Sequence, residues 1–183
     1  MASFCIPEGY DDGQYNGLLS SCVLSIAEVG NSDTSLDCVL EVMRQSTDFF
    51  DYYLGDSSHE VFVPTLYKLA GHRLDKLERR PEIIEWFREV LNFSIEHVAE
   101  AKAVDNTIAA SLICDLIDLQ AVELLPEINA LFDTEMVDLC HCGRRSEVLN
   151  DIVNPDYSGH LDDCILDIHQ RFDDLRRKFD RLG

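Results

Sequence analysis

With 183 residues, 46% of them hydrophobic and 9% aromatic, the chain can bury a core without disulfide or metal staples, and wholesale disorder is excluded. Thirty-five acids against fifteen bases leave a net charge of −20, which argues against direct binding to nucleic acid or to an anionic membrane, because both call for basic patches. No stretch approaches the run of about eighteen apolar residues that a membrane span needs.

Nothing along the chain alternates like a strand, whereas helical periodicity recurs throughout. "YNGLLSSCVLSIAEV" reads as a first helix stopped at Gly30-Asn31, and Asp33 or Thr34 then caps "SLDCVLEVMRQSTDFFDYYL", closed by Gly55. The third region, "SSHEVFVPTLYKLAGHRLDKL", carries Pro64 early in its apolar pattern and breaks at Gly71. "RPEIIEWFREVLNFSIEHVAEAKA" is the clearest amphipathic helix. Pro81 sits in its first turn, where a missing N–H costs nothing, and Ile83, Ile84, Phe87, Val90, Leu91, Ile95 and Val98 make its stripe.

Asp105 suits the N-cap of the next helix, whose face is Ile108, Ala109, Leu112, Ile113, Leu116 and Ile117. The link "QAVEL" leads to a helix opened by Pro126 and carrying Ile128, Leu131 and Phe132. Asn154-Pro155 is the expected hinge, dividing a helical-repeat domain over 1–153 from a long amphipathic C-terminal helix over 156–183. In that helix Leu161, Ile165, Ile168, Phe172, Leu175, Phe179 and Leu182 alternate spacings of four and three. Such a seam either packs along the body or joins two copies into a homodimer.

Two internal echoes appear. "VPTLYKL" at 63–69 aligns with "LPEINAL" at 125–131, and "PEIIEWF" at 81–87 with "PEINALF" at 126–132. Pro81 and Pro126 lie 45 residues apart (126 − 81), within the period of HEAT repeats. Residues 105–133 resemble a HEAT-type repeat, with Ala109-Ala110 inside the first helix, Ala121 in the turn, and Pro126, Ile128 and Leu131 in the second helix. From about residue 48 to 152 the chain also resembles a bacterial family of acidic helical-repeat proteins. Pro126, Ile128, Phe132, Val137-Asp138, Gly143 and Glu147-Val148 carry that likeness. The resemblance implies an all-α fold of HEAT-like antiparallel helix pairs, a short α-solenoid, and brings no reaction with it.

The acidity is concentrated in blocks. Residues 1–67 hold eleven acids and one base, residues 68–102 seven of each, residues 103–143 eight acids and no base, and residues 144–183 nine acids and seven bases. Asp115, Asp118, Glu123, Glu127, Asp133 and Asp138 are therefore expected on the wet side of the helices, as the face that meets a partner. A di-metal carboxylate site would need them inward with Glu-x-x-His pairs, which do not occur.

The seven cysteines are odd in number and irregularly spaced. Because "MASFCIPEGYDDG" also lacks the features of an export signal, reduced thiols and a cytoplasmic location are expected. Cys140, Cys142, His160 and Cys164 are the alternative metal set, although their C-x-C-x17-H-x3-C spacing matches no common zinc module. No nucleophile elbow, phosphate loop or H-E-x-x-H motif appears, so no enzyme, no catalytic residue and no cofactor are expected.

The functional expectation is a non-enzymatic module that presents an acidic surface to a basic protein partner. Two alternatives compete with it. One is an acidic imitator of nucleic acid that blocks the basic groove of a nucleic-acid-binding enzyme, of the anti-CRISPR or anti-restriction type; the other is a zinc-stabilised structural protein.

Overall fold

The computed structural model describes residues 35–41, 59–69, 79–100, 104, 106–157, 161, 170, 173 and 176–177. After a helical stretch at 35–41 come α1 (His59–Leu69), α2 (Arg80–His97), α3 (Asn106–Asp118), α4 (Leu125–Asp133), α5 (Leu139–Cys142) and α6 (Arg145–Val153). Single 3-10 turns at Val98–Glu100 and Val122–Leu124 follow α2 and precede α4. No strand occurs among the described residues, and the fold is all-α.

The helices form where local chemistry asks for them. Pro81 and Pro126 each sit in a first turn, together with Glu82 and Glu127, whose charge suits a helix start. On α2 the residues Ile83, Ile84, Phe87, Val90 and Leu91 are buried as the periodicity predicts. Ser94 lies on the same face and satisfies its hydroxyl by donating to the Val90 carbonyl at 2.9 Å. Trp86 is also in the core, edge-on to Phe87 at 4.8 Å between centroids. Pro64 stands inside α1 among buried neighbours Val63, Thr65 and Leu66, and removes one backbone hydrogen bond there.

α3 is the centre of the assembly. It packs against α1, α5 and α6, while α2 lies along α4, and α4 also touches α6. Ala109, Ala110, Leu112, Ile113, Leu116 and Ile117 are all buried. The direction of α2 follows from its arginines. Arg80 reaches the Leu119 and Gln120 carbonyls and Glu123, whereas Arg88, roughly two turns further on, reaches Glu123 and Glu127. The partners advance together, so α2 and the 119–127 segment run the same way.

Several boundaries differ from expectation. The helix expected over 80–103 stops at His97, and the chain tightens into the 3-10 turn, burying Val98 and then Val104. Glu147-Val148 lie in a nine-residue helix, α6, because Val148 and Ile152, one turn apart, both find core. The "VPTLYKL" echo lies wholly in α1, which packs on α3, whereas the "PEIIEWF" and "PEINALF" echo makes neighbours of α2 and α4.

At the expected hinge, Asn154 accepts from the Asp156 and Tyr157 N–H groups, and Gln120 Nε2 donates to the Asn154 carbonyl at 2.9 Å. Leu161 is buried in the same core as α3 and α6. Residues 170, 173, 176 and 177 are helical and exposed; Ile165, Ile168, Phe172, Leu175, Phe179 and Leu182 of the seam lie outside the described residues, as do the Asp105 cap and the helix expected at 15–29.

Candidate functional site

The six carboxylates expected on one wet face are dispersed by the fold. Asp115 is buried, with 8% of its surface exposed. The expectation that it faces water fails because α3 is covered from three directions, by α1, α5 and α6, leaving that helix a much narrower wet side than a simple pair would. Asp118, at the end of the same helix, is half-buried.

Glu123, Glu127 and Asp133 meet arginines from the parts of the chain with balanced or mixed charge. Arg80 grips Glu123 with Nε and Nη2, both at 3.0 Å, and donates Nη1 and Nη2 to the Leu119 and Gln120 carbonyls at 3.0 and 2.9 Å. Arg88 Nε donates to Glu127 Oε1 at 2.7 Å, and its Nη1 pairs with Glu85. Arg145 Nη2 holds Asp133 at 2.5 Å and lies over the Phe132 ring at 5.5 Å. At the N-terminal end of α2, Arg79 pairs with Asp37 and Glu82.

Burial pushes the Glu123 carboxyl up, but the bonds from Arg80 and from its own backbone N–H, with the charges of Arg80 and Arg88, outweigh it and hold the group below the usual carboxylate range. Glu127 and Glu85 raise the Arg88 guanidinium in the same way. Asp138 has a structural task as N-cap of α5, accepting from the Cys140 N–H at 2.9 Å.

These arginines are what the linear charge pattern missed. Arg80 and Arg88 stand 43 and 39 residues from Glu123 and Glu127, so no local window contains both partners. A signal did exist: once the Pro81 and Pro126 echo is taken as two adjacent helices, the arginines of one fall opposite the acids leading into the other.

A second grouping lies where α5 meets α3. Ser111 Oγ is 3.2 Å from His141 Nε2 at an exposed position. Cys142 Sγ donates to the Asp138 and Gly143 carbonyls at 3.6 Å, so the adjacent His141 is not its partner. Burial, then the nearby Cys142, Asp115 and Asp118, push the Cys114 thiol up to about 12. Burial pushes Cys142 up to about 11, partly opposed by a backbone hydrogen bond and reinforced by Asp138. Thiols so placed stay protonated near neutral pH and are poor nucleophiles.

Of the metal set, Cys140 is exposed and Cys142 half-buried, while His160 and Cys164 lie outside the described residues. Among the described residues no group of three or more His, Cys, Asp or Glu side chains is placed to hold a metal ion. No described helix is long and apolar enough to cross a membrane.

Fold and surface together define an all-helical protein whose acidic segments are braced by arginines from neighbouring helices. The chain belongs to the DUF1186 family, described as a protein of unknown function, whose match over residues 73–174 covers more than half of it. That range takes in α2 to α6, crosses Asn154-Pro155 and extends into the C-terminal segment. No curated protein and no solved structure matches the chain.

Proposed function

We propose that the chain is a non-enzymatic protein-interaction module of the cytoplasm, a short HEAT-like stack of antiparallel helix pairs that presents a negative surface to a basic protein partner. Four arginines carry this reading. Arg79, Arg80, Arg88 and Arg145 are all engaged by carboxylates of the same chain, while Glu89, Glu96, Glu135 and Asp156 are exposed. A net charge of −20 then favours encounter with a positive surface, with charge governing rate and register more than affinity.

The stacked form is supported by α2 and α4, which open on equivalent prolines and lie side by side in one direction, as matching helices of successive repeats do. Imitation of nucleic acid is less well supported. Carboxylates standing in for phosphates would need to be free of counter-charges, yet Glu123, Glu127 and Asp133 are each neutralised by an arginine. A second copy could use the C-terminal seam in a homodimer, but Leu161, its first member, is buried in the body's own core.

The test is capture of partners by the immobilised full chain at low salt, release with salt, and measurement of the identified partner's affinity across ionic strength. Affinity is expected to fall steeply between low and moderate salt, and a salt-indifferent complex would overturn the proposal. Charge reversal at the exposed Glu89, Glu96 and Glu135 should weaken the complex without loss of helicity.

A further inference from the structure

α5 is only four residues long, yet its position on α3 is fixed at two points. The Asp138 N–H donates to the Asn106 carbonyl at 3.3 Å, and His141 Nε2 lies 3.2 Å from Ser111 Oγ. The two helices therefore run in the same direction, and each brings a cysteine to the far end of their contact. Cys142 follows His141 and ends α5, while Cys114 lies one turn beyond Ser111 on the same side of α3. Both are free thiols, and both are half-buried.

The charges around Cys114 agree with this register. Cys142 acts on it more strongly than Asp115, the next residue, or Asp118, one turn on. Cys140 is no competitor for the place beside Cys114. Two residues from Cys142, it does not share that side of the helical turn, and it is exposed.

We propose that Cys114 and Cys142 are a redox pair, closed by hydrogen peroxide into a disulfide that staples α5 to α3. One thiol gives its proton to water and attacks the peroxide: an S–O bond forms, the O–O bond breaks and hydroxide leaves. The second thiolate then attacks that sulfur, forming the S–S bond and expelling the oxygen as hydroxide. The two hydroxides take up the two protons. In sum the thiols lose two electrons and two protons, and one peroxide becomes two waters. The bond closes a ring of 28 residue steps (142 − 114) that contains α4 with Glu123, Glu127 and Asp133. Closure restricts the unfolded chain, so the oxidised form is the more stable one. Because both thiols are held protonated, the pair answers sustained oxidation and not a brief pulse.

The test uses the full chain with Cys5, Cys22, Cys38, Cys140 and Cys164 changed to serine, reduced, then treated with hydrogen peroxide and mapped by mass spectrometry after proteolysis. The expected product is a monomer lighter by two hydrogens, with the Cys114 and Cys142 peptides joined. Its urea midpoint should lie above that of the reduced form and return on addition of dithiothreitol. The native sequence, treated alike beside Cys114→Ser and Cys142→Ser, keeps the test decisive if the multiple variant fails to fold. The joined peptides should then appear in the native protein and in neither single variant. The pair is overturned if the folded chain oxidises each thiol separately to sulfinic acid, if the link joins two chains or a different cysteine, or if closure leaves the midpoint unchanged.

Discussion

Gly143 holds φ at +89° and ψ at −179°, a backbone conformation that residues with a side chain rarely adopt, and it ends α5 so that Glu147 can reach back to the Arg144 N–H at 2.7 Å. Gly143→Ala is therefore expected to cost about 1–3 kcal/mol, read as a lowered urea midpoint at unchanged slope. An unchanged midpoint would mean the turn relaxes freely. The thiols give a second test at this scale. Cys114 and Cys142 ionise in the folded chain only near 12 and 11, against an ordinary 9.0, so the native state keeps protons that the unfolded chain gives up. Their contribution is fully present below the ordinary thiol value and is lost as pH climbs through that interval. Stability should decline across the alkaline range, and Cys114→Ala should flatten the decline; an unaltered slope in the variant would assign the loss to other groups. That Cys114 lies in a helix could be read from the periodicity around it, whereas its half-burial is set by packing. That Cys142 lies close to it could not, because α5 is only four residues long and its contact with α3 is a matter of packing.

Among the elements, the turn between α3 and α4 depends most on one distant side chain. Arg80 satisfies two carbonyls that the end of α3 leaves open, besides gripping Glu123, and only 17% of its side chain is exposed. Arg80→Ala should cost about 2 kcal/mol, the range for charge-assisted bonds lost from a largely buried site, measured by denaturant unfolding. A neutral result would mean that water replaces the guanidinium there. The same pair sets an acid limit. Because the Glu123 carboxyl is held low by Arg80, its contribution is present above the ordinary carboxylate value and is lost as pH falls through the lowered one. The difference in stability between native protein and Arg80→Ala should therefore narrow in acid. From sequence, α2 and α4 could be located by their prolines and apolar stripes. Their adjacency was present only as a faint echo of "PEIIEWF" in "PEINALF".

For the whole molecule, the question is whether the segment after Asn154 is separate from the body. Leu161 answers in part, being 6% exposed within the core that α3 and α6 share. Leu161→Ala should lower stability by about 2–3 kcal/mol through the cavity left behind, seen as one cooperative transition at lower denaturant. A neutral outcome would make the segment an independent appendage. The family match, running to residue 174 across Asn154-Pro155, is likewise drawn over body and segment together.

What the sequence by itself determined is local. Helical periodicity, prolines in first turns, and the stripe of Ile83, Ile84, Phe87, Val90 and Leu91 all depend on residues within a few turns of one another, so they can be read in line. Only the tertiary structure decided where the charges go. Asp115 is buried because three helices converge on α3, and Glu123 and Glu127 lose their bareness to Arg80 and Arg88, 43 and 39 residues away. A carboxylate's surroundings are set by which helices become neighbours, and Coulomb attraction acts through space without regard to sequence distance.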